Sequence, residues 1–151
     1  MHMDGAALFA AANEINANLQ NGRVERIAQP TRFDIVFTIR AERSNSRLLI
    51  SADPEAARMH LCGPAEKGPD KPFPFLMVLR KYLLHGRLLE IRVPQMERAC
   101  LLRFLTIDEL GDRREMTLIA EIMGKHSNLI LVDDKGMIID SIKRVTPSMS
   151  S

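Results

Sequence analysis

The stretch "FDIVFTIRAE", residues 33–42, decides what kind of chain this is. Phe33, Ile35, Phe37 and Ile39 alternate with Asp34, Val36, Thr38 and Arg40. That period of two places one apolar row on one face of an extended strand. Upstream the period is different. Leu8, Ala12, Ile15 and Leu19 recur at helical spacing, with Asp4 placed to cap the first turn and Gly22 to end the last. The change at Arg23 marks a helix running into a meander: "RVERIAQ" (23–29), "FDIVFTIRAE", "RLLISAD" (47–53) and "ARMHLCG" (57–63).

Downstream, "GPAEKGPDKPFP" (63–74) holds four prolines and two glycines and can continue neither a strand nor a helix. Strands of the same kind resume after it, so it reads as an exposed loop inside one domain. A second helix follows in "FLMVLRKYLLHG" (75–86), with Leu76, Leu79 and Leu83 as its stripe, Val78 and Tyr82 to one side, and Gly86 as its stop. Five more strands come next: "RLLEIRV" (87–93), "ERACLLRFLTI" (97–107), "EMTLIAEIM" (115–123), "NLILVD" (128–133) and "MIIDSIKRVT" (137–146). Helix, four strands, helix, five strands is the pattern of an α+β domain, an antiparallel β-sandwich or barrel with two main helices packed on it. No internal repeat is evident.

Composition agrees with one globular unit. The chain has 151 residues, 46% apolar and 26% charged, enough to bury a core. A net charge of +2 excludes a strongly basic nucleic-acid arm but leaves room for a local basic face. Cys62 and Cys100 fall outside any CxxC spacing and read as reduced thiols of a cytoplasmic protein. The first residues lack the basic and apolar regions of a signal peptide, and no run approaches the ~18 apolar residues of a membrane span.

Catalysis finds no support in the residues. There is no HExxH, no nucleophile elbow and no P-loop, and His85 and His126 lie on different elements without an acidic residue spaced to join them. No enzyme, cofactor or metal site is expected. Anion binding is better supported. Arg80, Lys81, His85 and Arg87 crowd the end of the second helix, where cations also complement the dipole. In "EIMGKHSNLILVDDKG" (121–136), Lys125, His126 and Asn128 follow Gly124 at a polar junction between two strands, and Lys143 and Arg144 end the last strand. Contact with phosphates and local bracing of the junction are both open readings, since asparagine and serine readily bond nearby backbone. One tyrosine, six phenylalanines and no tryptophan leave little for base stacking, which favours backbone or shape recognition. Glu97 and Arg98 form an odd pair at a strand entry, pointing to opposite sides of the sheet.

Taken together, "MDG", "NGRVERIAQP", "FTIR", "RLLISADPEAARMHL", "LRKYLLHGRL", "LGDR", "LIAEIMGKHSNLILVDDKGMIIDSIKRV" and "TPSMSS" resemble the N-terminal domain of the NFACT family over nearly the whole chain. The resemblance implies a fold similar to the N-terminal domain of formamidopyrimidine-type DNA glycosylases. This chain starts Met-His-Met-Asp, without the Pro-Glu start those enzymes use, so repair chemistry is expected to be absent. It further implies that residues 1–151 are the first domain of a longer multidomain protein. Such proteins bind the large ribosomal subunit obstructed by peptidyl-tRNA, recruit tRNA (alanine tRNA in bacteria) and direct C-terminal alanine tailing of the stalled chain. By the same resemblance Asp4 and the pair Glu97–Arg98 serve tRNA recruitment, with glutamate where most relatives carry aspartate. Arg80, Lys81, Arg87, Lys125, His126 and Asn128 are then the candidate contacts to RNA backbone. One of the family's names, fibronectin-binding protein A, supplies the alternative: a surface adhesin that binds fibronectin.

Overall fold

The computed structural model describes residues 3–64, 67–94 and 98–144. The first helix, α1 (Gly5–Leu19), begins where Asp4 Oδ1 accepts the Ala7 N–H at 2.7 Å, and it buries Leu8, Ala12, Ile15 and Leu19. A meander follows of β1 (Arg23–Thr31), β2 (Asp34–Ala41), β3 (Ser44–Ser51) and β4 (Arg58–Cys62). After α2 (Pro74–Leu83) come β5 (Arg87–Arg92), β6 (Ala99–Ile107), β7 (Arg113–Glu121), β8 (Asn128–Val132) and β9 (Ile138–Ser141). The fold is α+β, as expected. The nine strands form one antiparallel sheet in the order β4-β3-β2-β1-β5-β6-β7-β8-β9. Two half-sheets fold over one another: the rings of Phe37 on β2 and Phe104 on β6 lie 5.7 Å apart, and the Cys100 thiol is 3.8 Å from Met59 Sδ. Each helix bridges the halves, α1 touching β2, β4 and β5, and α2 touching β1, β6 and β9. The loop 63–74 is more than exposed connection, because Gly68 presses on the Gln29 carbonyl, where an added Cβ would sit 2.6 Å from the oxygen.

The halves join at a narrow seam. β1 and β5 share one register pair, Arg23 opposite Arg87. Around it Val24 N–H donates to Gly86 O (2.8 Å) and Leu88 N–H to Gly22 O (2.9 Å), while His85 N–H donates to Val24 O (2.9 Å) and Asn21 N–H to Leu88 O (2.6 Å). These bonds form matched pairs under an offset of 64 positions. The helix ends match as well, with Gly22 N–H donating to Leu19 O and Gly86 N–H to Leu83 O. An internal repeat therefore exists, contrary to the expectation above: Leu19-x-x-Gly22-Arg23 with Ile27, and Leu83-x-x-Gly86-Arg87 with Ile91. It escapes sequence reading because few positions coincide and the loops of the two halves differ in length.

The repeat also corrects the helix stops. The left-handed residue in each copy is not the glycine but its predecessor, Asn21 (φ 68°) and His85 (φ 68°). The glycines are needed for room. A Cβ on Gly22 would lie 2.5 Å from Ile39 Cγ2 and 2.9 Å from Leu19 O; on Gly86 it would lie 2.8 Å from Thr106 Cγ2. Beyond the seam β1 and β5 diverge, and each is then served by a helix side chain. Asn16 donates to Ile91 O (2.6 Å) and accepts from Ile91 N–H (2.7 Å), and Arg80, its counterpart, donates to Ile27 O from Nη2 (3.3 Å) and Nε (3.4 Å).

Gly86→Ala should therefore cost about 1–3 kcal/mol in urea denaturation through overpacking. Gly63→Ala, where an added Cβ meets nothing within 4 Å, is the control and should cost little. Asn16→Ala should cost about 1–3 kcal/mol, because it strips both partners from the Ile91 peptide groups.

Candidate nucleic-acid interface

The outer end of the second half-sheet gathers some of the expected residues. The Arg98 carbonyl accepts from Ile122 N–H at 2.8 Å, extending the β6–β7 ladder one step past the pair Ala99 and Glu121. Arg98 is exposed there, beside the chain segment that enters a 3₁₀ turn at Gly124–His126. Lys125 and His126 are exposed on that turn, and Gly124 takes φ 65° to make it. Arg98, Lys125 and His126 thus share one end of the fold. Helix α1 runs back along β5, with Asn21 at Leu88 and Asn16 at Ile91, so its N-terminus and Asp4 point to this same end. The exposed Asp4 carboxylate also caps the helix. Glu97 lies outside the described residues.

Within "GKHSN" the labour divides. Ser127 is fully buried and its Oγ accepts from Met123 N–H at 2.8 Å. Asn128 Oδ1 accepts from Lys143 N–H (3.0 Å) and Leu129 N–H (2.9 Å), while its Nδ2 donates to Lys143 O (3.3 Å). Ser127 and Asn128 brace the junction; Lys125 and His126 face water. The strand-end cations are engaged too. Lys143 Nζ lies 5.0 Å from the centre of the Phe33 ring, enclosed enough that desolvation lowers its pKa despite the nearby Asp53. Arg144 pairs with Asp140 at 2.8 Å.

The cluster at the end of α2 lies elsewhere. Arg87 opens β5, whereas Arg98 follows its far end, so the sheet separates the two groups of cations. Arg80 is half-buried and committed to Ile27 O. Lys81 is exposed, 5.2 Å from the Tyr82 ring centre, at a cleft of about 540 Å³ that Asp108, Arg114, Asp133 and Asp134 also line. Carboxylates outnumber cations in that cleft: Arg114 pairs with both Asp108 (3.0 Å) and Asp134 (3.5 Å), and Asp133 accepts from Lys135 N–H and Met137 N–H at 2.9 Å. The arginine lowers the pKa of Asp108, and turn hydrogen bonds lower that of Asp133. Among the described residues no group of three or more His, Cys, Asp or Glu could hold a metal, and no helix is long and apolar enough to cross a membrane. Cys100 is buried with its thiol pushed up to about 12, and Cys62 is half-buried; both are free.

Sequence reading missed one arrangement. Arg40 on β2 stands opposite Arg23, which stands opposite Arg87, giving three arginines abreast on the outward face. One row along, Arg26 and Arg47 flank Thr38. The signal available was arginine at outward positions of strands whose inward positions are apolar, but no pattern in one strand tells which residue of another lies beside it.

Comparison with known proteins gives consistent matches. The family model for NFACT N-terminal and middle domains matches residues 4–151. The Rqc2 homolog RqcH of Bacillus subtilis (strain 168) is 37% identical over the whole chain, and that of Streptococcus suis 41%. The chain spans only 27% and 28% of those relatives' lengths. Among solved structures, the N-terminal domain of the fibronectin-binding protein PavA from Streptococcus pneumoniae aligns with a TM-score of 0.94 at 39% identity, covering 99% of this chain and 57% of that one. The N-terminal part of the fibronectin/fibrinogen-binding protein from Streptococcus suis gives 0.93 at 42%, covering 98% and 56%.

The division within the junction is measurable. Asn128→Ala should cost about 1–3 kcal/mol by denaturant titration, because it removes the side-chain acceptor of Lys143 N–H and Leu129 N–H, while Lys143 O keeps the Ser141 hydroxyl. Lys125→Ala and His126→Ala, at exposed positions, should stay within about 0.5 kcal/mol of the parent.

Proposed function

This chain belongs to the NFACT family, and from that premise we propose that it is the tRNA-recruiting N-terminal domain of a bacterial ribosome quality-control factor. The observation that carries the proposal is the alignment of the whole chain with two RqcH proteins at 37% and 41% identity. The full protein, in this reading, binds the large ribosomal subunit obstructed by peptidyl-tRNA and directs C-terminal alanine tailing in the cytoplasm. Residues 1–151 are its first domain, and the exposed end that carries Arg98, Lys125 and His126 is its tRNA face.

The chemistry of that face follows from its residue types. Arginine presents a planar fork that bonds phosphate bidentately or stacks on a base, and lysine reproduces neither geometry. A carboxylate beside it repels phosphate, so Glu97 earns its place only by orienting the guanidinium or by accepting from a base amino group or ribose hydroxyl. Asp4, at the helix terminus aimed toward this end, belongs to the same set. In this reading the domain binds RNA and performs no chemistry of its own, on a fold read as that of the formamidopyrimidine-type glycosylase N-terminal domain. A second reading, a fibronectin-binding surface domain, has in its favour the names of the solved Streptococcus pneumoniae and Streptococcus suis proteins.

The test is tRNA recovery with ribosome-bound full-length variants at fixed salt. Arg98→Ala should lower tRNA affinity by about 1–3 kcal/mol, the usual cost of losing one specific arginine contact. Glu97→Gln should also lower recovery although it removes a repelling charge, and Glu97→Asp should be nearly silent. Ribosome binding should persist in all three. More tRNA with Glu97→Gln than with the parent would mean that general charge governs the site. Fibronectin capture by the same protein, with no tRNA recovered, would favour the second reading.

A further inference from the structure

We propose that the outward face of the first half-sheet and the seam, centred on the row Arg40–Arg23–Arg87, is a second RNA-backbone contact surface, distinct from the Arg98 end. It rests on the reading of this domain as RNA-binding but uses none of the residues assigned there to tRNA recruitment. In an antiparallel ladder directly opposed residues project from the same face, and neighbouring strands lie roughly 4.8 Å apart. The three arginines therefore rise in a line roughly 10 Å long across β2, β1 and β5. Arg26 and Arg47 stand in the next row, and Arg43 lies at the tip of the β2–β3 hairpin with φ 71°.

Like charges placed directly opposite one another destabilise a sheet. Nothing in the packing requires them here, since Arg23, Arg40 and Arg87 are all exposed. Of the six arginines, only Arg23 has an ion pair among the described residues, with Glu25 at 3.1 Å. Glu42 at the hairpin tip, Asp34 at the far end of β2 and Glu90 on β5 are the other carboxylates here, and among the described residues none of them forms an ion pair with the row. The other half-sheet treats an outward arginine differently: Arg103 on β6 is held between Glu90 on β5 (2.5 Å) and Glu115 on β7. The fold thus neutralises the outward Arg103 with two carboxylates, while the row of three arginines has a single carboxylate partner, Glu25.

The chemistry of this arginine-rich row selects its ligand. Guanidinium forks match phosphate oxygens bidentately. The outward positions of β1, β2 and β3 carry no aromatic residue, so bases have nothing to stack on and sequence is not read. A sugar-phosphate backbone is the class that fits, with binding that weakens steeply as salt rises. β5 separates Arg87 from the Arg98 end by roughly 20 Å, so the domain engages RNA at two places.

The experiment measures binding of the chain to a labelled single-stranded RNA of mixed sequence by fluorescence anisotropy, between about 50 and 200 mM salt. The triple variant Arg23→Gln, Arg40→Gln, Arg87→Gln should bind roughly tenfold more weakly at the low-salt end, with the slope of log affinity against log salt reduced by about 2. Arg40→Glu separates function from structure. It sets a carboxylate opposite Arg23, so its urea midpoint should equal or exceed the parent's while RNA binding falls. A lowered midpoint would assign the arginines a structural role and overturn the proposal, as would parental binding by the triple variant. Polyglutamate bound as tightly as RNA at equal salt would overturn the phosphodiester assignment in favour of an acidic protein. Arg98→Ala is run beside them on tRNA. Loss of tRNA recruitment in Arg98→Ala with the triple variant unchanged sinks the second surface alone; the reverse sinks the recruiting site alone.

Discussion

Four main-chain hydrogen bonds between residues 21–24 and 85–88 hold the two halves of this molecule together, and the rest of the structure is arranged around that crossing. Two strands that meet at a single register pair and then part company leave rows of peptide groups without strand partners. Leaving such groups buried and unpaired costs about 1–3 kcal/mol each. The fold meets the difficulty symmetrically. Asn16 serves the Ile91 peptide from α1, and Arg80 serves the Ile27 carbonyl from α2, at equivalent positions of the repeat. Gly22 and Gly86 allow the approach, since a methyl group at either position would collide with Ile39 or Thr106.

This explains why a residue that reads as an anion ligand is something else. Arg80 sits among Lys81, His85 and Arg87 in the sequence, and charge alone groups the four. In space Arg80 is a clamp, Lys81 borders a cleft where carboxylates outnumber cations, and Arg87 belongs to the seam. Arginine performs three kinds of work in this chain: hydrogen-bonding a carbonyl at Ile27, bridging two carboxylates at Arg103, and standing unpaired at Arg40. Composition cannot distinguish them, because the difference lies in what the neighbouring strand presents.

The elements themselves were legible. Alternation in residues 33–42, helical spacing from Leu8 to Leu19 and the proline-rich break at 63–74 announce the order of helices and strands, because burial of one face imposes those periods directly. Pairing across the seam was not legible, since alternation says which face a residue occupies and never which strand lies beside it. The junction at 124–128 was half legible. Its residue types suit both bracing and binding, and only the partners of Ser127 and Asn128 separate them from Lys125 and His126.

The strand order carries a consequence for how the chain reaches this state. Every ladder but one joins strands that are neighbours in sequence, so nearly all the sheet can zip up from local hairpins. The seam is the exception. Closing a segment of roughly 60 residues between Val24 and Gly86 carries a length-dependent entropy cost of about 4 kcal/mol, incurred once and in one place. Two meanders can therefore form early, each with an apolar face waiting, and the slow event is their meeting at a patch only a few residues wide. A substitution that weakens either meander, whose contacts precede that meeting, therefore acts mainly on the rate of folding, while one that weakens contacts completed only after the halves have met acts mainly on the rate at which they come apart.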